Sequence, residues 1–139
     1  MRAALPFRIC AVILLLFAVG HTYGFLRFKP TTASGVAVKT AMDEVAFPFG
    51  SAQRTYGNFY RGFGLFITAY LLFAAVIAFE LPRLLLVAPE SFWVVAVGFL
   101  VVQVVTTILS WAYFALPPAI LSSATVLCLA WGILVARTP

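Results

Sequence analysis

The sequence predicts an all-α protein, a transmembrane four-helix bundle, and three observations predict it. About 64% of the residues are apolar and 9% are charged. That is too little polar surface to clothe a domain in water, whereas a lipid-solvated domain needs little of it. Four apolar stretches each reach the length of about 20 helical residues that a hydrocarbon core roughly 30 Å thick requires. Prolines, glycines and charges fall between them, where turns are needed. The chain of 139 residues leaves no room for a soluble domain, so 1–139 is read as a single integral membrane domain. There is no internal repeat and no low-complexity tract.

The first span runs from Pro6 to Phe28. Arg2 and Arg8 ahead of an apolar run, with the small residues Ala18-Val19-Gly20, also fit a cleaved signal peptide. The apolar pattern continues through Tyr23, Phe25, Leu26 and Phe28, as a retained span does, and retention is expected. The first connection, Lys29 to Tyr56, is the long one. Within it Val36 to Phe47 reads as a short interfacial helix with Val38, Ala41, Met42 and Val45 on its apolar face and Thr40 as a cap. The second span, Phe59 to Phe79, is followed by a connection punctuated by Pro82 and Pro89 and flanked by Glu80 and Glu90. The third span, Phe92 to Leu116, is ended by Pro117-Pro118 in a tight hairpin, and the fourth runs from Ala119 to Ala136.

The pI near 9.7 comes from interface cations suited to anionic lipid headgroups, not from a nucleic-acid stripe, so membrane lipids are expected partners and nucleic acid is not. Arg2, Arg8, Arg83 and Arg137 share one face, and Arg27, Lys29, Lys39, Arg54 and Arg61 the other. That difference is too small for the positive-inside rule to orient the chain, and a cytoplasmic N-terminus in a bacterial inner membrane is the expectation adopted. Cys10 and Cys128 lie in apolar spans and form no C-x-x-C pair, so they read as small hydrophobes.

The polar residues of the spans gather in one half of the bilayer, at the face carrying the long connection. They include His21, Thr22, Asn58, Tyr60, Arg61 and Thr68, with Gln103, Thr106, Thr107 and Ser110 on the third span and Ser122, Ser123 and Thr125 on the fourth. Gln103, Thr107 and Ser110 recur at helical spacing, and an amide at mid-span costs several kcal/mol unless paired, so this stripe is expected to face the interior. One reading makes these groups interhelical glue. The sharper one makes them a polar-necked cavity, roofed by the first connection, that takes an amphiphile by head and tail.

His21 lies in Gly20-His21-Thr22-Tyr23-Gly24, whose glycines at i and i+4 offer a close helix approach. Its two readings are an acid or base and a neutral ring donating to a neighbouring span. Arg61, about a turn inside the second span, either snorkels or turns inward toward a phosphate, sulfate or carboxylate. Asp43 or Glu44 is expected either to meet Arg54, Arg61 or His21 or to stay solvated near Lys39. With one His and no clustered thiols, neither a metal nor another cofactor is expected.

The Gly-His-Thr-Tyr-Gly closing span one, the Ala41-Met42 pair and the Arg54-Thr-Tyr-Gly-Asn-Phe-Tyr-Arg-Gly-Phe-Gly-Leu65 run resemble a family of small, uncharacterised four-span bacterial membrane proteins, which carries no activity to transfer. Topology and length also resemble the membrane-associated eicosanoid and glutathione transferases. Their Arg-x-x-x-Asn-x-x-Glu appears here as Arg54-x-x-x-Asn58-x-x-Arg61, with the charge reversed where that family has its acid, so glutathione chemistry is not inferred.

The expectation is therefore an integral membrane protein binding a lipid or other hydrophobic or amphiphilic small molecule through His21, Asn58, Tyr60, Arg61, Gln103, Thr107 and Ser110. One alternative is a lipid-modifying or isomerising enzyme with His21 as its catalytic group. Another is an accessory subunit of a larger membrane complex, and homo-oligomers fit the apolar surface as well.

Overall fold

The computed structural model describes residues 4–137; Arg2, counted above with the N-terminal charges, lies outside the described residues. In order the elements are α1 (Ala4–Arg27), α2 (Ala33–Glu44), β1 (Ala46–Phe49), β2 (Ala52–Thr55), α3 (Tyr56–Val87), α4 (Pro89–Tyr113) and α5 (Leu116–Arg137). Helices α1, α3, α4 and α5 are long and apolar enough to cross a membrane. The protein is an all-α membrane-spanning helical bundle with one small sheet.

Three local expectations are corrected. Pro82 does not end the second helix: α3 runs through it to Val87, for 32 residues in all. The ring costs the helix the bond to the carbonyl of Ala78, yet Ala78 and Leu81 stay buried, and that packing carries the helix across the defect. The second connection shrinks to Ala88, with Pro89 in the opening turn of α4, where a missing N–H costs nothing. Pro117 and Pro118 likewise lie in the first turn of α5, and α4 has already ended at Tyr113. The cap of α2 is Thr32, whose hydroxyl accepts from the Gly35 N–H at 3.1 Å; Thr40 lies inside the helix.

The first connection also holds an unexpected β-hairpin. Strands β1 and β2 pair antiparallel from Ala46↔Thr55 to Phe49↔Ala52 around Gly50-Ser51. Gly50 has φ +60, the left-handed conformation that a two-residue hairpin turn asks of its first central residue.

The chain divides into two compact units, residues 4–18 with 71–137, and Val19–Tyr70. In the first, α1 buries Phe7, Cys10, Ala11, Leu14, Phe17 and Ala18, a stripe at helical spacing. Phe7 is central to it. Its ring meets Phe92 of α4 edge-on at 5.9 Å between centroids and fills the space beside Gly132 of α5, where a Cβ would stand 2.7 Å from it. Small buried residues on α3 and α5, among them Ala74, Ala75, Ala78, Ala119 and Ser122, permit the close helix packing that lipid-solvated bundles depend on. Trp111 Nε1 donates to Ser123 Oγ at 3.1 Å and joins α4 to α5.

The Val19–Tyr70 unit is built differently: α2 buries no residue. Aromatic contacts fasten the hairpin to the start of α3, with Phe47 4.8 Å from Tyr56 and Phe49 5.3 Å from Phe59 between ring centroids.

Candidate functional site

The Val19–Tyr70 unit contains a groove of about 510 Å³, within the size range of small-molecule sites. The end of α1, all of α2's inner side and the start of α3 form it. Its walls are apolar, contributed by Phe25, Leu26, Phe28, Pro30, Val38, Met42 and Tyr60, and Lys39, Asp43 and Arg61 supply the charge.

Helical spacing on α2 builds the charged end. Lys39 and Asp43 stand at i and i+4, and Nζ lies 2.9 Å from Oδ2. The other oxygen, Oδ1, accepts from Arg61 Nη2 at 3.0 Å, so the carboxylate, held by Lys39 on its own helix, ties α2 to α3 through Arg61. Gly57 admits it: a Cβ there would collide with the Asp43 carboxylate and stand 3.2 Å from the Met42 carbonyl oxygen. The hydrogen bond from Lys39, helped by the charges of Lys39 and Arg61, outweighs the opposing desolvation and holds the Asp43 carboxyl below its ordinary value. Of the two expectations for Asp43, the structure has the pairing with Arg61, and Lys39 is a second partner. The Arg61 side chain keeps 59% of its exposure and that of Lys39 43%, so each retains donors for a further partner.

His21 and Thr22 join α1 to α3 beside the groove. His21 Nε2 lies 3.0 Å from the Gly64 carbonyl oxygen; a carbonyl only accepts, so Nε2 carries the proton and donates. Thr68 Oγ1 also donates to that carbonyl, at 3.4 Å, and Thr22 Oγ1 meets Thr68 Oγ1 at 2.8 Å. Phe25 stacks on His21 with rings 3° from parallel and lies 5.3 Å from the Tyr60 ring. It occupies the space over Gly64 that a Cβ would claim. Close approach between helices in this unit therefore occurs at Gly57 and Gly64. Gly20 and Gly24, expected to form the seam, face open space.

Asn58 is a capping residue. Its Oδ1 accepts from the Thr55 N–H at 3.0 Å while Thr55 Oγ1 accepts from the Asn58 N–H at 3.1 Å, a reciprocal capping box at the start of α3. Asn58 faces a second, shallower furrow of about 260 Å³ with Arg54 and phenylalanines including Phe49 and Phe63.

Of the residues named from the sequence, Tyr60 and Arg61 line the larger groove, and His21 and Asn58 do not. Gln103, Thr107 and Ser110 belong to the other unit. There Gln103 and Ser110 are buried, Thr107 donates to its own helix at the Gln103 carbonyl, 2.9 Å away, and no buried side-chain polar atom among the described residues lacks a partner. Thr106, Ser122, Ser123 and Thr125 bond carbonyls of their own helices in the same way. The groove's aliphatic and aromatic walls, with Lys39 and Gly57, were not singled out from the sequence as ligand contacts. The signals that pointed there were the apolar face of the roofing helix at Val38 and Met42 and the charges of Asp43 and Arg61. No family of proteins, no curated protein and no solved structure matches this chain.

Proposed function

We propose that this integral membrane protein binds an amphiphile in the groove formed by α2 with the end of α1 and the start of α3. One observation carries the reading: a groove of about 510 Å³ joins apolar walls to a compact charged end made by Lys39, Asp43 and Arg61. A tail against Phe25, Leu26, Val38 and Met42 is removed from water at about 25 cal/mol per Å² of apolar surface. The charged end orients the head. Helix α2 is the roof of the site, and His21 braces α1 against α3 through the Gly64 carbonyl.

The location proposed is a bacterial inner membrane with the N-terminus in the cytoplasm, which puts the groove at the periplasmic face. Arg2 and Arg8 ahead of the first span are compatible with it, and labelling decides it. A Ser34→Cys variant, with Cys10 and Cys128 replaced by Ser, is then labelled by an impermeant thiol reagent in intact cells; protection there reverses the orientation.

The binding test is native mass spectrometry of protein released from mild non-ionic detergent, wild type against Val38→Trp, which fills the groove. A discrete bound mass in the wild type that the variant lacks is expected. Equal, heterogeneous lipid on both proteins overturns the reading.

A further inference from the structure

The charged end of the groove is already occupied, and the occupant is part of the chain. Three features favour an anion at that spot. Lys39 Nζ and Arg61 Nη2 stand 2.9 and 3.0 Å from the two carboxylate oxygens of Asp43. The third is the opening turn of α3, where Gly57 lets the carboxylate touch the backbone at the positive end of the helix dipole. Two cations and one acid leave the cluster one positive charge in excess, and both cations line the groove. The element that carries the acid buries none of its side chains, so little apolar contact holds it in place.

We propose that Asp43 is a tethered stand-in for the ligand's head: a carboxylate, phosphate or sulfate head displaces it from Arg61 and Lys39, and α2 is released from the start of α3. This rests on the groove reading above and adds to it the charge of the head and a gate. Exchanging one anion for another nearly conserves the charge pairs, so the head alone gains little, and the tail on Phe25, Leu26, Val38 and Met42 supplies the affinity. The site is thereby selective for tailed anions over free ones.

The test is calorimetric titration of the whole protein in a non-ionic maltoside detergent with dodecyl phosphate, dodecanol and inorganic phosphate. Wild type is compared with Asp43→Asn, which removes the stand-in, and with Gly57→Ala, whose methyl group crowds the carboxylate out and keeps the test alive if the first variant misfolds. Dodecyl phosphate is expected to bind both variants roughly tenfold more tightly than wild type, as loss of two half-exposed ion pairs allows. Dodecanol is expected to bind all three alike, and inorganic phosphate far more weakly. Unchanged or weaker binding of dodecyl phosphate to the variants, with dodecanol still bound, overturns the stand-in and leaves the groove intact. Failure of both tailed probes on every protein overturns the groove reading itself. Inorganic phosphate binding as tightly as dodecyl phosphate, and tightened by the same substitutions, upholds the exchange but makes the ligand a free anion.

Discussion

The two compact units of this chain hold themselves together by different means. In residues 4–18 with 71–137 the work is done by packing. Phe7 fits between Phe92 and Gly132, alanines and serines let helices approach, and most hydroxyls return to their own backbones. In Val19–Tyr70, α2 buries nothing. Specific polar and aromatic contacts hold the unit instead: the Arg61–Asp43 pair that fastens α2 to α3, a capping box, a hairpin turn and a ring over a glycine. The first kind of region resists change as a whole, because each void costs contacts on several helices. The second can open at one contact while the others stay closed, which is what a region that admits a ligand needs.

That contrast can be broken by substitution. Phe7→Ala should give the largest effect, lowering stability by about 3 kcal/mol, read as a fall in the thermal midpoint in detergent; a loss too small to shift the midpoint would mean the first unit is not limited by packing. Gly64→Val drives a side chain into Phe25 and should cost about 2 kcal/mol, with loss of the His21 contact visible in the histidine's NMR shift. Thr55→Ala should cost about 1 kcal/mol, and its mark is local: faster amide exchange in the first turn of α3. Removing the interhelical hydrogen bond with His21→Ala should cost about 0.6 kcal/mol, and Val38→Ala, on the exposed side of the comparison, should stay within about 0.5 kcal/mol of wild type.

The smallest effect is on pH. Because the Asp43 carboxyl is held below its ordinary value, near 3.9 for a free side chain, the clasp contributes fully above that value and is lost as pH falls through the lowered one. Exchange protection of α2, corrected for intrinsic rates, should be flat from about pH 7 to about pH 5 and decline below about pH 4. Protection that instead changes near neutrality would assign the tie to another group.

Much of the fold was legible because membrane spans are written in length and hydropathy. The four long helices follow the four apolar stretches, and the breaks at Ala88 and Phe114 stand near prolines that announced them. Pro82 misled, since a proline reads as a stop while the buried Ala78 and Leu81 that carry the helix past it are invisible locally. The hairpin was overlooked although Gly50-Ser51 is a turn signal; Ala46–Phe49 and Ala52–Thr55 are too short to show a period. The site was legible where charge marked it, at Arg61 and Asp43. His21 and Asn58 drew attention as polar residues, but each satisfies a backbone group beside it. Val38 and Met42 were legible as the apolar face of a roofing helix, but the walls from Phe25, Leu26 and Phe28 could not be read, because they are indistinguishable from any apolar residue of a span until the chain folds around them.

The length of α3 has a consequence for the membrane itself. Its 32 residues rise about 48 Å at 1.5 Å each, against a hydrocarbon slab of about 30 Å. The surplus has to go into tilt or into projection past the headgroups. The exposed Glu80–Arg83 pair, 3.7 Å apart, interrupts the apolar run of α3. Beyond it the helix carries Leu84 to Val87, with Leu86 and Val87 bare. Leu84 to Val87 therefore supply apolar side chains that a thicker bilayer is expected to draw inward and a thinner one to leave at the interface.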